Sequence, residues 1–284
     1  MVGEVDYVRE VAPEILDFLD SHDMWSEPYR DLLSVAPTAT TDFAYRCQFA
    51  VMQRRIDRGD VVIGFKAAGT SPAAQQQLGG EAFIMGTLTR SLMLDDGGVF
   101  ATRPGKTFVE AEVGVVLARP LRGPGVTYYE ALSAIGGYCA AMEISPWSPA
   151  AMTKLRSRQH LVATQKTTGK MVVGRRVIPA SIDLRYEGAV VEIDGEIVAT
   201  GTGCEVMGDP VNVVVELANK LARFGRCLDA GMLIMTGSVA EPFPADQDLS
   251  TVRVTFSRLG SVGAHFVSTD SHSHDEVDQM MRSS

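Results

Sequence analysis

The segment from Phe108 to Leu117 constrains the fold more than any other, because polar and apolar side chains alternate along it. Its sequence is Phe-Val-Glu-Ala-Glu-Val-Gly-Val-Val-Leu. Successive side chains of a β-strand point to opposite faces, so Glu110 and Glu112 share one face while alanine and valines occupy the other. Their Cα atoms are then about 7 Å apart, since a strand rises roughly 3.4 Å per residue. The pattern predicts a strand with one apolar face and one face that carries two carboxylates.

Spacing alone leaves two interpretations of this Glu-x-Glu pair open. A solvent-facing strand surface is the commoner origin of such a pair. Phe108 and Gly114 lie on the same predicted face, however, and suit a pocket better than open water. A third carboxylate, Glu143, stands in an apolar run, where an ionised group needs a cation or hydrogen-bond donors. Three carboxylates without a histidine or cysteine nearby in sequence form an oxygen-only site, which favours Mg²⁺ or Mn²⁺.

Periodicity divides the chain into a helical beginning and a sheet-rich body. Apolar residues recur at helical spacing over residues 4–58, and short β-rich runs separated by Gly and Pro follow from Val61 onward. We predict an α+β protein with a helical N-terminal region over residues 1–60 and a β-rich catalytic domain over residues 61–267. We expect residues 268–284, which are polar, to form a disordered tail.

Turn and cap residues predict three local structures. Asp194-Gly195 between two strand patterns predicts a tight hairpin. Asp209 before Pro210 predicts the start of a helix that Gly225 ends. Small residues at positions 137, 140 and 141 predict a close-packed helix that ends near Glu143.

Composition argues against several classes of function. The 284-residue chain has a net charge of −9 and no basic stripe, so nucleic acid is not an expected partner. Its four cysteines are widely spaced, and we expect reduced thiols. The apolar runs are shorter than the roughly 20 residues that cross a bilayer, and the first residues lack a signal-peptide pattern. We expect a cytoplasmic protein without a membrane partner.

Lys66 and two hydroxyl-bearing turns are candidates for contact with a substrate. Lys66 follows an apolar strand pattern and precedes a Gly-Thr-Ser turn that contains Thr70 and Ser71. A solvated lysine at a strand end is equally consistent with this position. Thr236 follows the apolar run Met232–Met235 and either brings a hydroxyl to a pocket or forms a plain turn.

The motifs resemble those of the fumarylacetoacetate hydrolase superfamily, in particular its branch of 2-hydroxypentadienoate hydratases and 4-oxalocrotonate (2-oxo-3-hexenedioate) decarboxylases. The similarity runs from about Tyr45 to Phe266. Its markers are Gly64-Phe-Lys-x-x-Gly-Thr-Ser71, Glu110-Ala-Glu112, Glu143-Ile144, Asp194-Gly-Glu-Ile-Val-Ala-Thr-Gly201, Gly208-Asp-Pro-x-Asn212, Leu217-Ala-Asn-Lys-Leu221, Thr236-Gly237 and Leu259-Gly-Ser-Val262. The resemblance implies a mixed β-roll core.

The resemblance also implies roles for the candidate residues. It implies that three glutamates hold Mg²⁺ or Mn²⁺ and that a catalytic lysine lies beside a small 2-oxo acid substrate, which hydroxyl groups also contact. It further implies a homo-oligomer, either alone or in a complex with a related pathway enzyme. The implied metal ligands are Glu110, Glu112 and Glu143, the catalytic residue is Lys66, and the substrate contacts are Thr70, Ser71, Thr167 and Thr236.

Four segments bear on the reaction and the substrate. Ile84 stands where the hydratases usually carry an aspartate, so one acid-base group of a hydratase is missing. Leu121-Arg-Gly-Pro-Gly125 also looks more like the decarboxylases. Ser145-Pro-Trp-Ser148 replaces a family Val-Asp-Ser-Arg, and Thr164-Gln-Lys-Thr167 replaces an Asp-Asn-Ala-Ser segment that faces the substrate. The last two changes indicate a substrate that differs from the usual one.

We therefore expect metal-dependent decarboxylation of a 2-oxo-3-enedioate through a metal-stabilised dienolate. The alternatives are hydration of a 2-hydroxy-2,4-dienoate or C–C hydrolysis of an acylpyruvate, which use the same metal ligands. A second alternative is a non-catalytic partner subunit. The complete set of three glutamates argues against that last role.

Overall fold

Two β-sheets form the body of the protein in the computed structural model, which describes residues 7–21, 31–77, 83–102, 107–145, 157–165, 168–245 and 251–268. The strands are β1 (Val62–Ala68), β2 (Ile84–Thr89), β3 (Met93–Leu94), β4 (Val99–Thr102), β5 (Phe108–Leu117), β6 (Ile135–Ser145), β7 (Lys170–Val173), β8 (Ile178–Pro179), β9 (Gly188–Ile193), β10 (Glu196–Thr202), β11 (Leu233–Ser238), β12 (Phe243–Pro244), β13 (Thr251–Phe256) and β14 (Gly260–Ser268). The α-helices are α1 (Tyr7–Glu10), α2 (Pro13–Ser21), α3 (Thr41–Asp57), α4 (Pro72–Gln77), α5 (Tyr128–Ala134), α6 (Arg158–Thr164) and α7 (Pro210–Ala222). Short 3₁₀ helices cover Leu32–Ser34, Arg90–Leu92, Leu184–Tyr186 and Gly203–Glu205.

The larger sheet has nine strands in the described part of the chain and is mixed. Its main order is β2-β1-β11-β5-β6-β7-β3, while β12 pairs with β5 and β8 with β6. Strands β1 and β11 are parallel, whereas β5 is antiparallel to both β11 and β6. The smaller sheet has five strands in the order β10-β9-β13-β14-β4.

The central strands β5 and β6 separate the core from the candidate site. Val109, Ala111 and Val113 of β5 belong to the main buried apolar cluster, together with Tyr138 and Met142 of β6. Strands β13 and β14 of the smaller sheet contact β6. The alternating side chains of β5 and β6, which include the three glutamates, lie on the opposite face. The predicted alternation of β5 is thus confirmed, with one face in the core between the sheets.

One local prediction is wrong and two are confirmed. Residues 135–145 form strand β6 rather than a helix that ends near Glu143. Small side chains such as Ala140 and Ala141 are buried on both faces of this strand, so the residues indicate dense packing between layers as well as they indicate a helix. Asp194 and Gly195 both have positive φ in the β9–β10 turn. Asp209 caps helix α7 through a 2.9 Å hydrogen bond from the Val211 N–H, as predicted, but the helix ends at Ala222, three residues before Gly225.

The helices of the first 60 residues pack against the body. Thr40 caps α3, which contacts α1, α2 and α6. None of the helices in the described ranges has the length and apolarity to cross a bilayer. Domain boundaries at residues 60 and 267 stay a prediction, and the proposed tail lies outside the described residues apart from Ser268.

Candidate metal centre

Three glutamates converge on one face of the larger sheet. Glu110 lies directly opposite Glu143 in the β5–β6 register, and Glu112 lies two residues further along the same face of β5. Each offers a carboxylate oxygen, and these oxygens lie within 4.8 Å of one another. Glu112 and Glu143 are fully buried, whereas Glu110 is half-buried. Register and strand alternation therefore bring together all three glutamates that the sequence singled out.

Glu112 has one oxygen with a hydrogen-bond donor and one without. The Gly237 N–H donates to its Oε2 at 2.8 Å. Its Oε1 has no hydrogen-bond partner among the described residues. Burial, and then repulsion from Glu143, raise the pKa of Glu112 well above the ordinary carboxyl value. A cation beside Oε1 would supply the missing partner and favour the ionised carboxylate.

Glu143 is bound by a backbone amide and by Lys66. The Gly169 N–H donates to its Oε1 at 2.8 Å. The ammonium group of Lys66 donates to both carboxylate oxygens. Burial lowers the pKa of Lys66, but the negative charges of Glu143, Glu110 and Glu112 outweigh this effect and raise it above the ordinary lysine value. The amine is therefore held as a cation at the edge of the glutamate cluster.

The arrangement fits a hard divalent cation. Carboxylates crowded this closely in a buried place repel one another unless positive charge compensates them, and Lys66 supplies a single charge. The donor set contains only oxygens, which suits Mg²⁺, Mn²⁺ or Ca²⁺ better than zinc or copper. Glu110, Glu112 and Glu143 can hold such an ion.

A narrow cleft beside Lys66 encloses a cavity of about 10 Å³, which is room for about one water molecule. Gly86 pairs with Lys66 across β2 and β1, and a Cβ at position 86 would lie 2.9 Å from the lysine Cγ. Glycine there leaves room for the stem of the lysine. The cleft is lined by Gln48, Lys66, Ala68, Ile84, Met85, Gly86, Leu161, Gln165 and Thr168. Because Lys66 also contacts Glu143, it joins the cleft to the glutamate cluster.

The comparisons with known proteins agree with this geometry. The family model of the fumarylacetoacetate (FAA) hydrolase C-terminal domain matches residues 67–267, which is more than half of the chain. The chain belongs to the fumarylacetoacetate hydrolase family. Both the resemblance inferred from the motifs and the expected α+β fold with a mixed β-roll core are confirmed.

Several family members are similar over most of their length. A 4-oxalocrotonate decarboxylase of Pseudomonas putida is 31% identical over 261 residues, covering 91% of this chain and 98% of the relative. A 2-keto-4-pentenoate hydratase of Paraburkholderia xenovorans (strain LB400) is 32% identical over 249 residues, covering 85% and 90%. A solved 4-oxalocrotonate decarboxylase from Pseudomonas putida G7, complexed with magnesium and adipate, has a TM-score of 0.80 at 32% identity and covers 92% of this chain and 97% of that chain.

The remaining candidate residues of this family member have local partners or lie outside the described residues. Thr70 is buried beside Gly237. The Ser71 hydroxyl accepts a 3.2 Å hydrogen bond from the Ala74 N–H at the start of α4, and the Thr236 hydroxyl donates to the Val113 carbonyl at 3.0 Å. Thr167 lies outside the described residues. Substrate contact by these four hydroxyl groups stays a prediction.

The segments that depart from the family pattern are described only in part. Ser145 is fully buried at the end of β6, while residues 146–148 lie outside the described residues. The Thr164 hydroxyl donates to the His160 carbonyl at 2.9 Å, and Lys166 also lies outside the described residues. The side chain of Gln165, between them, binds β2: it accepts from the Thr87 N–H at 2.8 Å and donates to the Thr87 carbonyl at 3.1 Å.

Sequence reasoning missed Gln48 as a cleft residue. It lies on the buried side of α3, near Tyr45 and Phe49, and is 1% exposed. A single amide on an otherwise apolar helix face was the available signal, because a buried amide needs partners for its donors and its acceptor. Gly169 and Gly237 donate backbone N–H groups that side-chain chemistry does not reveal.

Proposed function

We propose that this protein is a lyase that decarboxylates a 2-oxo-3-enedioate, with Mg²⁺ or Mn²⁺ held by Glu110, Glu112 and Glu143. The observation that carries the proposal is the cleft beside Lys66, where Ile84 occupies the place at which the hydratases carry an aspartate. Lys66 is the one ionisable side chain among the described residues that line this cleft. Similarity to 4-oxalocrotonate decarboxylases over most of the chain supports the same reaction.

The bound ion would supply positive charge beside the 2-oxo group, where negative charge develops during the reaction. The bond between the distal carboxylate carbon and its neighbour breaks, and its electron pair moves through the C3=C4 bond to the 2-oxo oxygen. Carbon dioxide leaves, and the resulting dienolate takes up one proton, either on the 2-oxo oxygen to give a dienol or on carbon to give a ketone. Lys66 is protonated and lines the cleft, so it is the proposed proton donor.

Hydration of a 2-hydroxy-2,4-dienoate is the competing reaction, because hydratases of the family are about as similar to this chain as the decarboxylases. Addition of water needs a positioned acid-base group. Lys66 is the one such group among the described lining residues, and Ile84 stands in place of the additional aspartate that the hydratases carry. This difference in the cleft favours decarboxylation.

Mass spectrometry of the products tests the reaction. The enzyme with Mg²⁺ is incubated separately with 2-oxo-3-hexenedioate and with 2-hydroxypenta-2,4-dienoate. Loss of CO₂ from the first and persistence of the second are expected. Lys66→Met should lower kcat for CO₂ release by roughly 10²-fold. Rapid hydration of the dienoate without CO₂ release would replace this proposal with the hydratase, and inertness towards both would favour a non-catalytic subunit.

The further expectations from the resemblance are part of the same proposal. We propose that the protein acts as a homo-oligomer and that residues 61–267 form the catalytic domain. Thr70, Ser71, Thr167 and Thr236 are proposed to contact the substrate. Sedimentation analysis of the metal-loaded protein tests the oligomer, and a single-chain mass would reject it.

A further inference from the structure

Lys66 and Glu143 form an ion pair that spans the larger sheet. Strands β11 and β5 lie between β1, which carries Lys66, and β6, which carries Glu143. The side chain of Lys66 is 5% exposed and that of Glu143 is 0% exposed. A cation kept from water acts more strongly on its neighbours than a solvated one, because little solvent screens it. The charge of Lys66 is therefore part of the electrostatics of the glutamate cluster.

The ammonium group of Lys66 lies on a carboxylate that is proposed to bind the metal ion. Both oxygens of Glu143 accept hydrogen bonds from Lys66, and Oε1 also accepts from the Gly169 N–H. An ion bound to either oxygen would therefore lie close to a second cation. Like charges repel, and the repulsion grows in proportion to the charge of the ion. Lys66 should thus weaken the binding of every cation, and most of all the binding of the most highly charged.

The charges of the cluster match an ion of charge +2. The charged side chains that act most strongly on Glu112 are Glu143, Lys66 and Glu110. With an ion bound, three ionised glutamates and one ammonium group carry a net charge of −2. A divalent ion brings this total to zero, whereas a trivalent ion leaves an excess positive charge in a buried place, which is costly. Without Lys66 the three glutamates would carry −3, and a trivalent ion would match them.

We propose that Lys66 selects the charge of the bound ion, because its ammonium group makes the site prefer divalent over trivalent cations. Gly86 on β2 lets the lysine take this position, since a Cβ there would lie 2.9 Å from the Lys66 Cγ. The inference rests on the proposed function in one respect, namely that the glutamates bind a metal ion. It does not depend on which reaction follows.

Calorimetric titration with Ca²⁺ and La³⁺, which have similar ionic radii, tests the proposal. Lys66→Met keeps most of the length of the side chain and removes its charge. Affinity should rise by roughly 10-fold for Ca²⁺ and by roughly 30-fold for La³⁺, because the repulsion that is removed scales with the charge of the ion. Lys170→Met is the matched control, since Lys170 lies on β7 of the same sheet and its ammonium group donates to the Ser91 carbonyl. Both affinities should equal those of wild type in this control.

A double variant restores the charge of the cluster. Glu110→Gln added to Lys66→Met returns the net charge to −2. Both ions should then bind more weakly than to Lys66→Met, because a charged ligand is lost, but the ratio of La³⁺ to Ca²⁺ affinity should return to the wild-type value. An unchanged ratio in Lys66→Met would overturn the proposal. A fall in both affinities would also overturn it, since Lys66 would then be a support that positions Glu143.

Gly86→Ala makes the same test without removing the lysine. The added methyl group would displace the stem of Lys66 and draw its ammonium group away from Glu143. The ratio of La³⁺ to Ca²⁺ affinity should therefore rise, as in Lys66→Met. Should Lys66→Met not fold, this variant decides, and an unchanged ratio would overturn the proposal.

Failure of this proposal differs from failure of the proposed function. If the ratio changes as expected but wild-type enzyme releases no CO₂, the role of Lys66 in ion selection stands and the decarboxylase proposal falls. If CO₂ is released and the ratio is unchanged in the variants, ion selection by Lys66 falls alone. If wild-type protein binds neither ion, the proposed metal site falls and ion selection falls with it.

Discussion

Glu112 in the larger sheet and Glu187 beside the smaller sheet are both fully buried, yet their surroundings differ. Glu187 precedes β9, and the β13–β14 turn supplies donors to both of its oxygens. The Arg258 N–H donates to Oε1 at 2.6 Å, the Leu259 N–H to the same oxygen at 3.3 Å, and the Arg258 Nε to Oε2 at 2.7 Å. Glu187 is thus a structural carboxylate that ties a turn to a neighbouring strand.

Glu112 has one donor, the Gly237 N–H, and its nearest charged neighbours include two further carboxylates. Burial is the same in both regions, so burial does not distinguish a proposed metal ligand from a structural group. The two carboxylates differ in the number of hydrogen-bond donors that the protein supplies to them. A carboxylate whose lone pairs are satisfied by the protein stabilises the fold, whereas one with an orphaned oxygen is disposed to bind a cation.

The largest expected effect is on metal affinity in Glu112→Gln. Loss of a charged ligand should weaken Mn²⁺ binding by roughly 10²-fold or more in calorimetric titration. The same change should stabilise the metal-free protein in urea unfolding. Because the pKa of Glu112 is raised in the folded state, its ionisation costs stability as pH rises above the ordinary carboxyl value, and glutamine removes this cost. The stability gain should therefore disappear in acid.

Equal Mn²⁺ affinity in wild type and Glu112→Gln would remove Glu112 from the proposed ligand set. If the metal-free variant were less stable than wild type at neutral pH, the ionised carboxylate of Glu112 would stabilise the fold. Glu112 would then act as Glu187 does, and the difference between the two regions would not hold. The corresponding variants Glu110→Gln and Glu143→Gln should also lose affinity, which tests the cluster as a whole.

The parts of this contrast that could be predicted from sequence are local. Alternation in β5 and the cap of α7 depend on neighbouring residues, and both were predicted. Strand β6 was assigned to a helix because its small residues satisfy either packing pattern. The donor to Glu112 is the backbone N–H of Gly237, 125 residues away. The identity of a residue does not reveal which group its backbone N–H binds. The glutamate cluster was therefore predictable, but the difference in donors between Glu112 and Glu187 was not.

The next largest effect is on stability in Glu187→Gln. Glutamine weakens the charge-assisted hydrogen bonds from Arg258 and turns an NH₂ group towards a buried donor, so unfolding free energy should fall by about 1–3 kcal/mol. Urea unfolding measures this loss, and Mn²⁺ affinity should not change. The control is Asp42→Asn, which breaks the exposed ion pair with Arg223 and should leave stability close to wild type. A loss of metal affinity in Glu187→Gln would show that the two regions are coupled.

The smallest expected effect separates two glycines with the same backbone requirement. Gly195 has φ +86° and a Cβ there would meet nothing within 4 Å, whereas Gly237 has φ +95° and its Cβ would lie 2.1 Å from Oγ1 of the buried Thr70. Alanine at either position costs about 1 kcal/mol for the left-handed backbone. Only Gly237→Ala should also displace the N–H that positions Glu112, lowering Mn²⁺ affinity by about 10-fold. Mn²⁺ titration and urea unfolding of both variants check this prediction. Equal Mn²⁺ affinities of the two variants would mean that Glu112 keeps its position without the Gly237 amide. The Oε1 atom that lacks a donor would then be the only difference between Glu112 and Glu187 in this comparison.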